Sequence, residues 1–158
     1  LYYQAFYRNK NLVRINGLNH ITSFINNDSD GVFSYCEALE EIDLSGLTVS
    51  SLSMYTINGS SALKKVTLSS SVTSIQGKCF NGLSNLEEVH FLSTTPPNLT
   101  DSDSYYRNFK ECPKVKFYVP SSAVDAYKNA TGTKGFANPS YNAAASSTEE
   151  IQALIIGE

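Results

Sequence analysis

One pattern occurs five times in this chain and constrains the fold more than any other feature. An aromatic or aliphatic residue is followed three positions later by a small or sulfur-bearing residue, once by Leu, and six positions later by an aliphatic residue. Successive copies lie 27, 24, 23 and 29 residues apart, measured between their last residues. A period of this size predicts one supersecondary unit stacked repeatedly into a solenoid with a continuous core. The five copies are Phe6–Asn9–Leu12, Phe33–Cys36–Leu39, Ile57–Ser60–Leu63, Phe80–Leu83–Leu86 and Phe109–Cys112–Val115.

Each copy predicts a turn followed by a short strand. In the third copy, Ile57–Leu63 has apolar residues at threefold spacing, as in one helical or 3₁₀ turn, and Leu63–Leu68 then alternates like a half-buried strand. Val72 and Ile75 return the chain to the core. Because each strand recurs once per repeat after a crossover, we expect parallel strands in a sheet on one side of the coil. The other predicted strands are Leu12–Gly17, Leu39–Leu44, Leu86–Phe91 and Val115–Val119.

The repeat stops after Pro120. Ser121 is predicted to be the N-cap of a short closing helix that ends at Asn129. We therefore expect residues 1–130 to form the solenoid with its closing cap, and residues 131–158 to be a tail that acts as a cap extension or a linker. At the other end, the chain starts directly with repeat residues, so we expect a processed fragment without a signal peptide.

Charge and composition exclude several classes of partner. The 158 residues carry a formal net charge of −3, and the 12 basic residues are scattered rather than grouped. Nucleic-acid or anionic-membrane binding would need a basic patch, so neither is expected. No apolar run approaches the roughly 20 residues that a membrane helix needs, so we expect no membrane insertion by this segment.

The three cysteines are predicted to be buried, unpaired thiols. Cys36 and Cys112 occupy the same position of the pattern, three repeats apart, and Cys79 occupies a different one. Stacking at roughly 4.8 Å per repeat places the first two roughly 14 Å apart, whereas a disulfide needs Cα atoms closer than roughly 7 Å. The sequence places no basic residue where it would activate one of these thiols as a catalytic thiolate.

The outward-facing strand positions form two rows across the predicted sheet. The first row alternates in charge sign, and it either neutralises itself as a ladder or contributes to a mixed-charge binding face. The second row is chemically mixed and is expected to keep unspent hydrogen-bonding capacity. A one-residue slip in the last repeat adds Lys116 and Tyr118. The predicted binding residues are Arg14, Asn16, Glu41, Asp43, Lys65, Thr67, Glu88, His90 and Tyr118.

Metal and cofactor sites have little support in the sequence. Asn26–Gly31 with Glu37 fits a calcium-loop spacing, with oxygen donors at positions 1, 3 and 5, Gly at 6 and Glu at 12. However, Asn at position 1 removes a charge, and Asn/Asp/Gly clusters usually form turns. His20 and His90 lack ligand-spaced partners for zinc or a catalytic triad. We predict no metal and no cofactor, and calcium at this loop stays an open alternative.

Three segments resemble the leucine-rich repeat of the BspA-like bacterial surface proteins. Phe33–Leu44 and Val72–Phe80 are similar to its repeat, and Cys112–Pro120 followed by Val124–Lys128 is similar to its closing repeat and cap. The resemblance covers residues 6 to about 130. It departs at Cys79, where a small Ala is usual, and after the closing helix, where Trp is missing and Phe136 stands instead. The resemblance implies an α/β leucine-rich-repeat solenoid of about five repeats with a parallel sheet on one face.

The resemblance also implies an exported bacterial protein used in attachment, located at the cell surface or outside the cell. We therefore predict a non-enzymatic adhesion module that binds a protein or glycan of a host cell, neighbouring cell or matrix. A structural spacer that displays another domain is the alternative. No nucleophile–base pair, phosphate loop or carboxylate dyad suggests an enzyme. The outward strand face is the preferred contact surface, and the insertion Thr94–Asn108 with Tyr105 and Tyr106 is its rival.

Overall fold

The structure, a computed structural model, describes residues 1–2, 4–16, 18–23, 31–100, 105 and 107–158. Most of its elements are short strands, and its helices are few. The strands are β1 Arg14–Ile15, β2 Glu41–Leu44, β3 Ser51–Leu52, β4 Lys65–Leu68, β5 Ser74–Ile75, β6 Glu88–Phe91, β7 Asn98–Leu99, β8 Lys116–Val119 and β9 Ile155–Gly157. The helices are α1 Val124–Asn129 and α2 Thr148–Ala153, and 3₁₀ turns occur at Leu18–His20 and Ser121–Ala123.

The strands form two parallel sheets on a solenoid. The larger sheet has the order β1-β2-β4-β6-β8-β9, and the smaller has the order β3-β5-β7. Every neighbouring pair is parallel, because each strand is separated from the next by one turn of the coil. The predicted solenoid with a parallel sheet on one face is confirmed. The return segment, expected only as the apolar pair Val72 and Ile75, contains β5 of the second sheet.

Two local predictions are wrong. Asn98–Leu99 lies inside the predicted insertion, yet it pairs with Ser74–Ile75 as a third return strand, and Leu99 is fully buried. Ser121 is not an N-cap: it begins the 3₁₀ turn, and its hydroxyl donates to the carbonyl of Glu158 at 3.2 Å. The closing helix does end at Asn129, as predicted.

The repeated pattern forms the core. Its first and last residues are fully or almost fully buried from the second copy onward, and only Phe6 and Leu12 of the first copy are half-buried. Stacked rings join adjacent copies, with centroids 5.3 Å apart for Phe6 and Phe33 and 5.0 Å for Phe80 and Phe109. Burial of one such large side chain contributes roughly 1.5–3 kcal/mol, so the stacked pattern supplies much of the driving force for folding.

All three cysteines are free and buried, as predicted. The thiol of Cys36 donates a 3.0 Å hydrogen bond to the carbonyl oxygen of Phe6, and that of Cys112 donates one of the same length to Phe80. Each acceptor is the first residue of the preceding copy. Burial raises the pKa of Cys36 and Cys79 above 9.0 and that of Cys112 to about 12. These thiols are therefore neutral packing groups rather than nucleophiles.

A column of left-handed residues runs along the turns. The residue two positions after the start of each copy has positive φ: 52° at Arg8, 56° at Tyr35, 71° at Gly59, 73° at Gly82 and 65° at Glu111. In the first four copies its N–H donates a 3.0 Å hydrogen bond to the next copy. The conformation that favours glycine is thus required at every repeat, although three copies use another residue.

Residues 131–158 pack against the last repeat. The N–H of Phe109 donates to Asn142 at 2.8 Å, and β9 pairs with β8 in the register Phe117 to Ile155. Phe136 is fully buried, with ring centroids 5.0 Å from Phe117 and 5.1 Å from Tyr127. These residues therefore add a sixth strand to the sheet and cover the end of the core at the last repeat. None of the helices in the described residues has the length and apolar character needed to cross a membrane.

Candidate binding face

The outward side chains of the larger sheet form the candidate site, here called the outward face. Successive side chains of a strand point to opposite sides, so burial alternates along each strand. In β2, Ile42 and Leu44 are buried while Glu41 and Asp43 point outward. The same alternation holds in β4, β6 and β8. The strand residues predicted to point outward therefore do so.

The first row of the outward face is a charge ladder in register. Arg14 is aligned with Glu41, Glu41 with Lys65, Lys65 with Glu88, and Glu88 with Lys116, so the predicted one-residue slip is confirmed. Arg14 pairs with Glu41, and Lys65 Nζ lies 3.3 Å from Glu88 Oε2. These side chains are 40–60% exposed. Each pair therefore contributes at most about 1 kcal/mol, and a ligand can replace it at little cost.

The second row is chemically mixed. Asp43 is aligned with Thr67, Thr67 with His90, and His90 with Tyr118. Asp43 uses Oδ1 to accept from the N–H of Ser45 at 2.9 Å. Because a carboxylate offers about four acceptor positions, Asp43 keeps capacity for a partner.

His90 does not keep the spare hydrogen-bonding capacity predicted for this row. Its Nε2 lies 2.9 Å from Glu88 Oε2 and its Nδ1 lies 2.9 Å from Glu158 Oε2. Its ring stacks on that of Tyr118, with centroids 4.7 Å apart. A neutral imidazole has one N–H and a carboxylate is only an acceptor, so both hydrogen bonds form together when the ring is protonated. His90 therefore connects Glu88, Glu158 and Tyr118 within the face and is not free to bind a partner.

Glu88 is the shared acid of this cluster. The hydrogen bond from His90, followed by the hydrogen bond and charge of Lys65, holds the pKa of Glu88 below its ordinary value of 4.5. Glu158, by contrast, was not among the predicted site residues. Its position depends on β9 pairing beside β8, and it lies 68 residues from His90, so no local pattern could have indicated it.

Three shallow clefts follow the two rows across the outward face. The first, of about 300 Å³, includes Asn16, which follows β1, and Asp43. The second, of about 190 Å³, lies between β2 and β4 and includes Asp43, Lys65 and Thr67. The third, of about 330 Å³, includes Glu88 and Tyr118. Side chains of the predicted rows line all three clefts, which suits an extended partner more than an enclosed small molecule.

The other predicted sites lie partly outside the described residues. Of the calcium-like segment, positions 26–30 are not described, and Glu37 lies 3.8 Å from Lys10. Of the rival surface, Tyr106 and residues 101–104 are not described. Tyr105 is 60% exposed, and Lys78 Nζ lies 3.1 Å from its ring centroid. The side chain of His20 is likewise not described. Elsewhere in the described chain, no three His, Cys, Asp or Glu side chains converge as a metal site.

Comparison with protein families gives a clear match. The model of the BspA type leucine rich repeat region matches residues 1–133, in six copies. This is one copy more than the five found by the spacing of the pattern, and it covers more than four-fifths of the chain. No curated protein matches the chain.

Proposed function

The chain belongs to the BspA-type leucine-rich repeat family, and from that membership we propose that it is a non-enzymatic recognition module for adhesion at a bacterial cell surface. The repeat is one often involved in protein interaction and is generally non-catalytic, and the family is typical of surface or secreted bacterial proteins. The proposed partner is a protein or glycan of a host cell, a neighbouring cell or the matrix. The proposed location is the cell surface or the extracellular space.

One observation carries this proposal: side chains of the two aligned rows line three shallow clefts. The inward residues Ile42, Val66 and Val89 are committed to the core. The outward residues between them are held at fixed spacing by a parallel sheet, which is how solenoids present extended binding surfaces. We place the contact at the outward face, centred on Asp43 and Thr67.

A structural spacer is the second candidate function. It is favoured by the ion pairs within the first row and by the engagement of both ring nitrogens of His90. A face whose charged and polar groups are paired with one another needs no partner. The solenoid would then only display another domain. This candidate predicts no saturable binding by the chain on its own.

The test is a binding screen of the purified chain against matrix proteins and glycans, followed by variants of the outward face. We expect the double variant Asp43→Ala with Thr67→Ala to weaken the affinity for a partner found in the screen at least about tenfold, or about 1.4 kcal/mol. The matched control, Asp125→Ala with Thr133→Ala, changes two exposed residues of the same types away from the face. It should bind normally.

Each outcome of the screen separates the alternatives. Weaker binding with an unchanged melting temperature supports the outward face. Normal binding by that variant, together with loss in Tyr105→Ala, would move the site to the 94–108 segment. A chain that binds none of the partners would favour the spacer.

A further inference from the structure

We propose that Arg8, held beside the rings of Tyr7 and Tyr35, is a second binding site whose ligand is the acidic group of a sugar, a carboxylate or a sulfate on an anionic glycan. These residues lie in the turns that precede β1 and β2, not in the strands of the outward face. The site therefore goes beyond the proposed function of that face and does not depend on it.

Two tyrosine rings fix the position of the guanidinium. Arg8 Cζ lies 5.3 Å from the ring centroid of Tyr7 and 5.7 Å from that of Tyr35. The two rings are 5.9 Å apart and nearly perpendicular, at 87°. Cations within about 6 Å of an aromatic ring are attracted to it, and a planar guanidinium also stacks on it. The cation is therefore placed before any ligand arrives.

The backbone beneath this cluster is also fixed. The N–H groups of Arg8 and Tyr35 each donate a 3.0 Å hydrogen bond, to Ser34 and Asn58 respectively. Asn58 Nδ2 also donates to the hydroxyl of Tyr35 at 3.4 Å. Both residues have positive φ, at a position where the third and fourth copies have glycine. The stacked repeat therefore fixes the backbone from which both side chains extend.

The donors of Arg8 are available to a ligand. Within the described part of the chain, its guanidinium makes the two ring contacts and has neither an acidic partner nor a hydrogen-bond acceptor. The other basic side chains of the first repeat differ, since Lys10 lies near Glu37 and Arg14 pairs with Glu41. A guanidinium has five N–H donors in a fork that matches a planar carboxylate or a sulfate face.

The composition of the site selects the class of ligand. One available cation beside two aromatic rings suits a ligand with one acidic group per polar ring unit, as in an acidic polysaccharide. Nucleic acids and anionic membranes are bound by clusters of basic residues, and the chain has a net charge of −3. Acidic peptide motifs are also typically bound by groups of arginines. Tyr35 is 38% exposed, so part of its ring and hydroxyl remains accessible to a sugar.

The experiment is calorimetric titration of the whole chain with four probes. Two are acidic tetrasaccharides of alternating uronate and N-acetylhexosamine, one unsulfated and one sulfated. The others are a neutral N-acetylglucosamine tetrasaccharide and a short polyglutamate peptide. We expect at least one acidic sugar to bind and the neutral sugar to bind at least about tenfold more weakly. Tighter binding of the sulfated sugar would identify the anion as sulfate, whereas equal binding of the two would identify it as the carboxylate that both carry.

Variants then assign the binding to Arg8. Arg8→Gln should lower the affinity at least about tenfold, and Arg8→Lys should also lower it, because lysine keeps the charge but loses the planar fork. Tyr35→Phe keeps the ring and should bind within about threefold, whereas Tyr35→Leu should lose the positioning. Lys10→Gln removes a neighbouring charge and should have less than about a threefold effect. Melting temperatures show that each variant is folded.

Several outcomes would overturn this site. They are no binding of either acidic sugar, equal binding of the neutral sugar, equal losses in Arg8→Gln and Lys10→Gln, or preferential binding of polyglutamate. The double variant Asp43→Ala with Thr67→Ala should leave the binding of these probes unchanged. A loss in that variant, with none in Arg8→Gln, would assign the sugar to the outward face instead.

Discussion

The hydroxyl of Ser60 donates a 2.7 Å hydrogen bond to the carbonyl oxygen of Phe33, the residue that opens the preceding repeat. Its oxygen also accepts from the N–H of Cys36 at 3.0 Å. Ser60 is fully buried, and the thiols of Cys36 and Cys112 make the corresponding donation in their own repeats. In these three copies the middle residue of the pattern is therefore a donor that links adjacent turns of the solenoid.

Replacing Ser60 by Ala should destabilise the chain by about 1–3 kcal/mol, because a buried carbonyl and a buried N–H both lose their partner. Replacing it by Cys should cost less, since the thiol makes this hydrogen bond at the same position in two other repeats. Chemical denaturation measures both differences. Equal stability of Ser60→Ala and the parent chain would contradict the proposed link.

The glycines Gly59 and Gly82 form a matched pair for testing the left-handed turns. Their φ angles are 71° and 73°, but an added Cβ at Gly59 would lie 2.5 Å from Tyr35 Cε1, whereas at Gly82 its nearest neighbour is 3.9 Å away. Gly82→Ala should cost roughly 1–2 kcal/mol for the backbone alone. Gly59→Ala should cost roughly 1 kcal/mol more. Urea unfolding measures both costs. In a chain that also carries Tyr35→Ala, Gly59→Ala and Gly82→Ala should cost the same, because the ring that crowds position 59 is gone. A difference that persists there would contradict the ring contact.

The three thiols should be protected in the folded chain. At neutral pH we expect few to react with a thiol reagent before denaturation, and all three afterwards. Because burial raises their pKa above the ordinary 9.0, their contribution to stability is complete below pH 9.0 and is lost as the pH rises toward the folded values, about 12 for Cys112. Unfolding free energies measured across this range should fall less steeply in Cys112→Ala; rapid native labelling would contradict burial.

Acid should weaken the cluster around Glu88. Its pKa is lowered in the folded chain, chiefly by the hydrogen bond from His90, so its contribution to stability is present above pH 4.5 and is lost as the pH falls through the folded value. The side chain is 40% exposed, so we expect a loss of less than about 1 kcal/mol. Glu88→Gln should remove this loss, whereas the control Glu87→Gln should retain it. Denaturant titrations above and below pH 4.5 measure this loss of stability. An equal loss in the parent chain and in Glu88→Gln would show that the cluster contributes nothing.

Much of the site could be predicted because it depends on local alternation. The spacing of Leu39, Leu63 and Leu86 sets the period, and a period of two within each strand sets which side chains point outward. Glu41, Lys65 and Glu88 then align without further information, since equivalent positions of stacked repeats must be neighbours. The family match is carried by the same regularity.

The tertiary structure determines the contacts that the periodicity of the sequence does not predict. The return strand Asn98–Leu99 is two residues long, too short to show alternation, and only its neighbour β5 identifies it. Glu158 reaches His90 because β9 adds to the sheet, and Arg8 meets Tyr35 because the turns stack. In these cases a side chain finds its partner in another turn of the coil. Local sequence determines the repeating unit, whereas packing between units determines which polar groups are satisfied and which remain available to a ligand.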